Sequence, residues 1–137
     1  MKIAVVQQPP VYLDLVNSMI RAVELVREAA AQGCGMVVFP ETWLSGYPTF
    51  VWRLPPGAGM GKTDELYALS QANSVDLSKD GLRPLQDAAK DHQVVIVLGY
   101  QEIDGSLSGS TLFNSCAIID ADGRALMFER QSIEVVP

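Results

Sequence analysis

Cysteine is scarce. Cys34 and Cys116 are the whole complement of this 137-residue chain, too few for a disulfide scaffold, and neither sits in a CxxC or Cys/His cluster of the kind that holds zinc. Basic residues are outnumbered, 10 against 16 acidic, for a net charge of −6. Nucleic acids and anionic membrane surfaces both call for a basic footprint, so neither is expected as a partner. No apolar run is long enough to span a membrane or to serve as the core of a signal peptide, since residues 3–6 are ended at once by Gln7, Gln8, Pro9 and Pro10. Internal repeats and low-complexity tracts are absent. These absences fit a reducing, cytoplasmic setting, and no cofactor or metal ion is expected.

What is present is the material of a folded core: 48% hydrophobic and 19% charged residues, in a chain long enough to bury roughly two-thirds of its unfolded surface. Residues 3–6 are short, apolar and β-branched, which predicts a buried strand. Across 14–32, Val16, Ile20, Val23, Val26 and Ala30 recur every three or four positions, the stripe of an amphipathic helix, which Gly33 and Gly35 stop. Residues 36–39 form a second apolar run, so the chain opens as a βαβ unit with a parallel pair. Residues 45–61 read as a long ordered loop carrying Tyr47, Phe50 and Trp52. Two helices are expected over 63–72, with Thr63 as N-cap and Leu66, Leu69 and Ala72 on its stripe, and over 82–91. Residues 94–100 are the strongest strand in the chain, and Asp104-Gly105 and Asp122-Gly123 signal hairpins that make 111–120 and 125–128 antiparallel neighbours. The pattern is an α/β layered fold with a mixed β-sheet.

Several segments invite a chemical reading. The run Gly57 to Thr63 looks like a phosphate-binding loop, with Asp120 as a magnesium ligand. However, Pro56 stands where that motif requires its first glycine, and proline removes a backbone donor from the cradle. A flexible Gly-rich entry to a helix is the plainer reading. Glu41 follows the second apolar strand, at the end where open α/β sheets place ligands, and partial burial there would raise its pKa and suit it to general base work. A turn cap or an arginine partner would also explain it. Cys34 lies in a helix-to-strand turn and Cys116 in an apolar strand, neither beside an activating cation, which favours packing roles. His92 ends a polar helix, as a solvated residue would. Tyr47, Phe50 and Trp52 fit either the wall of an apolar pocket or ordinary packing and protomer contact.

Around Glu41 the sequence resembles the nitrilase superfamily of carbon–nitrogen hydrolases. Gly33, Met36, Val37, Phe39, Glu41, Leu44, Gly46, Tyr47 and Pro48 match the signature around the family's first catalytic residue, and the run from Phe39 to Pro48 is most similar to the nitrilase branch. The likeness continues through Val97-Leu98-Gly99, Asn114 and Asp120 to Gly123. The resemblance implies half of a four-layer αββα sandwich, oligomerisation with like or related chains through nitrilase-type surfaces, and a Glu-Lys-Cys triad. In such a triad the cysteine thiolate attacks a nitrile carbon to give a thioimidate. Water then releases ammonia and, through a thioester, a carboxylic acid, with the glutamate as general base and the lysine steadying the tetrahedral intermediates.

Glu41 matches the general base. The family's lysine follows an arginine just after the last hairpin strand, and here Arg130 leads into Gln131, whose neutral amide cannot supply that charge. The family's cysteine segment has no counterpart up to Pro137. The expected division is therefore a hydrolase-like part over 1–128 and a divergent tail over 129–137. Three functional readings follow: a truncated hydrolase of small organic nitriles that is inactive alone, a non-catalytic module that pairs with a full-length relative, and a nucleotide binder using 57–63.

Overall fold

A computed structural model describes residues 1–54, 60–106 and 108–132. The elements run β1 (Lys2–Val5), α1 (Leu15–Ala31), β2 (Cys34–Val38), α2 (Phe50–Arg53), α3 (Met60–Ala72), α4 (Arg83–His92), β3 (Val95–Ile103), β4 (Leu112–Ile119) and β5 (Ala125–Ser132), with a 3₁₀ turn at Leu77–Lys79 before α4. The five strands form one sheet in chain order. The β1–β2 and β2–β3 pairs are parallel, as crossover connections through helices require, while β3–β4 and β4–β5 are antiparallel hairpins.

Because side chains alternate across a strand, the register sorts the sheet into two faces. Val37, Ile96 and Ile119 are cross-strand neighbours and fully buried beneath Ala22, Val26, Leu85 and Ala89 of α1 and α4. The next row, Val5, Val38, Val97 and Ile118, points the other way. No helix among the described residues covers it, and Val5 is 66% exposed. The sheet is thus one apolar layer packed on one side and open on the other.

Three expectations are corrected. The buried face of α1 is Ser18, Met19, Ala22, Val26 and Ala29, whereas Val16 and Ile20 are 69% and 54% exposed. Thr63 is not an N-cap, since α3 begins at Met60, and α3 buries Ser70 instead of Leu69 or Ala72. The 45–61 segment is not wholly loop, because α2 forms within it. The Asp104-Gly105 signal does mark a hairpin, between β3 and β4, which closes where the Asp104 N–H donates to the Thr111 carbonyl at 2.9 Å. The Asp122-Gly123 hairpin forms as expected, with Gly123 at φ 79° and its N–H donating to the Asp120 carbonyl at 2.9 Å.

Candidate active site

The loops leaving β1 and β2 emerge at the carboxyl ends of parallel strands, where open α/β sheets present ligands. They flank an open cleft of about 290 Å³ lined by Gln7, Gln8, Pro40, Glu41, Trp43 and Tyr47, among others. The two loops are joined where the Trp43 indole N–H donates to the Gln8 carbonyl at 2.8 Å. Trp43 is buried and packs edge-to-face on Phe39, with ring centroids 4.9 Å apart, so the loop hangs from an aromatic anchor in the core.

The backbone around Glu41 is held against β3. The Phe39 N–H donates to the Val97 carbonyl and the Trp43 N–H to the Gly99 carbonyl, both at 2.8 Å. Between these points the chain crosses directly over Gly99. A Cβ at residue 99 would lie 2.4 Å from the Pro40 carbonyl oxygen and 2.6 Å from the Glu41 Cα, so only glycine admits this crossing. Thr42 adopts a left-handed φ of 48° and is buried, a backbone state that costs about 1–3 kcal/mol and persists only where the surroundings impose it. The turn closes when the Gly46 N–H donates to the Thr42 carbonyl at 2.8 Å.

The Glu41 side chain is exposed at the cleft, so the burial expected of it is not found. The reason is its position on the uncovered face of the sheet. Its Oε1 accepts a hydrogen bond of 2.5 Å from the Asn114 Nδ2. Asn114 stands on β4, with Gln101 opposite it on β3 and Gln131 opposite it on β5. Cys116, two residues on, is half-buried and pairs with Gly99 on the same face. The structure therefore gathers Glu41, Asn114, Cys116 and the backbone position of Gln131 on one face.

A second polar cluster lies on the opposite, helix-covered face. Glu102 is 1% exposed; its Oε1 receives the Arg130 Nη2 at 2.6 Å and its Oε2 the Ser115 hydroxyl at 2.8 Å. Burial pushes the neighbouring Tyr100 hydroxyl well above its ordinary pKa of 10.0, and the Glu102 carboxylate adds to the shift.

Of the residues singled out from sequence, Tyr47 lines the cleft with Glu41. Phe50 and Trp52 are carried away on α2, and Trp52 is 78% exposed. His92 is exposed at the end of α4, and Cys34 is buried at the start of β2. Gly57, Ala58 and Gly59 lie outside the described residues, while Lys62 and Thr63 lie within α3. Asn114, Glu102 and Arg130 were not expected in these arrangements. Asn114 was signalled only as a point of the family likeness and as an amide beside an apolar run, neither of which pairs it with Glu41. Among the described residues no group of three or more His, Cys, Asp or Glu is placed to hold a metal ion, and no helix is long and apolar enough to cross a membrane.

Comparison with known proteins adds to this geometry. A family model for carbon–nitrogen hydrolases matches residues 2–134. An aliphatic nitrilase of Rhodococcus rhodochrous is 36% identical over 130 residues, which cover 95% of this chain and 34% of that protein. An arylacetonitrilase of Aspergillus niger is 33% identical over 130 residues, covering 95% and 36%. A cyanide hydratase of Neurospora crassa is 29% identical, covering 95% and 35%. The chain thus spans about a third of the length of the curated relatives it matches. In three dimensions it superposes on an amidase of the nitrilase superfamily from Nesterenkonia AN1 with a TM-score of 0.62 at 17% identity, covering 100% of this chain and 45% of that one, a likeness of fold.

Proposed function

The chain belongs to the carbon–nitrogen hydrolase family, and from that premise we propose that Glu41 is the general base of a half-site for hydrolysing small organic nitriles to a carboxylic acid and ammonia, one that does not turn over by itself. The observation that carries this reading is the Glu41–Asn114 pair at the carboxyl end of the parallel strands, on a backbone that Gly99 lets approach β3. A general base needs an ionised oxygen within hydrogen-bond reach of the proton it removes. Asn114 fixes one carboxylate oxygen of Glu41, and the exposed side chain presents the other oxygen to the cleft for a proton. Tyr47 supplies an apolar wall beside it.

Residues 1–137 lack the rest of the machinery. Position 131, opposite Asn114, carries glutamine in place of the family's lysine, and a neutral amide stabilises a developing anion less than a cation does. Neither cysteine stands in the family's nucleophile segment. Members of a catalytic unit act together, so losing one forfeits most of the rate. The reading includes 129–137 as a divergent tail and a cytoplasmic setting. A second reading, a module that pairs with a full-length relative or with its own copies, is favoured by the uncovered apolar row from Val5 to Ile118.

The test is ammonia release from a small aliphatic and an aryl nitrile. The chain alone should give none above background, and turnover by it would overturn the claim of incapacity. A chimera carrying Gln131→Lys and the remaining part of the Rhodococcus relative should turn over. Glu41→Gln in that chimera should lower kcat at least about 100-fold; retained turnover would overturn the general-base assignment.

A further inference from the structure

We propose that Glu102 is a positioning residue, a buried carboxylate that sets the register of β5 against β4 and thereby decides which residue of β5 stands opposite Asn114 and Glu41. The inference rests on the reading of Glu41, Asn114 and position 131 as one site.

Parity links the two faces of the sheet. Arg130 pairs with Ser115, and both reach Glu102 on the helix-covered face. Gln131, the next residue, pairs with Asn114 and so falls on the Glu41 face. A slip of one residue would bring position 130 or 132 opposite Asn114 and exchange the faces of the whole strand.

Other features specify this register weakly. β5 is an edge strand with a partner on one side only. The β4–β5 register is irregular between Ile118 and Ile119, next to the hairpin, so the turn does not dictate the pairing farther along. At the far end of the hairpin, Glu102 supplies a strong reference point. It is held rigidly, because the Val75 N–H donates to the Gln101 carbonyl and the Ile103 N–H to the Val75 carbonyl, each at 2.9 Å. Its carboxylate, 1% exposed, has one oxygen on Ser115 and the other on Arg130. A slipped strand would withdraw the guanidinium and leave a buried charge without its counter-ion, which a dry environment penalises heavily. The Arg130 guanidinium also lies 5.5 Å from the centre of the Phe113 ring, a contact that the same slip would break.

The experiment is nuclear magnetic resonance on the isotope-labelled full chain, reading cross-strand backbone contacts between 114 and 131 and, as a control, between 99 and 116. In Glu102→Leu and in Arg130→Gln the 114–131 contacts should disappear or be replaced by 114–130 or 114–132, while the 99–116 contacts persist. Arg130→Lys, which keeps the charge, should retain the native pattern. If Glu102→Leu does not fold, Arg130→Gln decides alone, since its site is on the edge strand and half-exposed. Native 114–131 contacts in Arg130→Gln would overturn the proposal, even with a lowered Tm. So would loss of both sets of contacts, because the pair would then hold the fold and not the register. The readout involves no turnover, so it stands or falls separately from the Glu41→Gln result.

Discussion

At the scale of single residues, the candidate base has an exposed side chain, yet its backbone is held close against β3. Gly99→Ala tests that constraint. A methyl group 2.4 Å from the Pro40 oxygen must push the Glu41 segment off β3, at a cost of about 1–3 kcal/mol or more, and the Glu41–Asn114 bond should be lost with it. Denaturant unfolding and the Asn114 side-chain amide resonances would report the two effects. Glu41→Gln, by contrast, changes an exposed side chain and should leave stability within about 0.5 kcal/mol. Tyr100 carries a pH signature. Its folded pKa is raised above 10.0, so the folded state favours the neutral phenol. The associated stability is complete below pH 10 and is lost as pH rises past it, and Tyr100→Phe should flatten that alkaline fall in a pH series of unfolding curves. Glu41 was legible from its place in a spaced signature. Asn114 was not, because its partner is 73 residues away and only the sheet brings them together.

At the scale of elements, local chemistry announced most boundaries. Asp14 caps α1, its Oδ1 accepting the Asn17 N–H at 3.0 Å, and that bond, with a second from the Asn17 side chain, holds its carboxyl below the usual 3.8. A lowered pKa contributes stability above the unfolded value, and that contribution is lost as pH falls through the folded one. Asp14→Asn, which still caps, should therefore leave neutral-pH stability nearly unchanged and weaken the loss of helicity in acid, as circular dichroism would show. Which stripe of α1 is buried was not legible. The helix offers apolar residues on more than one side, and packing in the core buries the face with Ala22 and Val26 and leaves Val16 and Ile20 exposed. Asp104 takes up the N–H groups of Ser106 and Ser108, at 3.2 Å each, and so builds the connection between β3 and β4.

At the scale of the whole molecule, the sheet is finished on one side only. Ile3 and Val5 on β1 are 50% and 66% exposed, and an apolar surface of that kind favours association. Sedimentation velocity should show concentration-dependent self-association. Val5→Lys, placing a charge on the edge strand, should reduce it while leaving Tm nearly unchanged. By itself the sequence determined the α/β order of elements, the parallel opening, the antiparallel end and the segment that carries Glu41, because periodicity, glycine and proline act over neighbouring residues. Tertiary structure alone decided that Asn114 holds Glu41, that Gly99 makes room for it, that Gln131 stands opposite, and that the buried Glu102 pairs with Arg130. Those relations join strands distant in the chain, and their physical basis is register: cross-strand pairing sets which side chains share a face, and nothing local in the sequence specifies it.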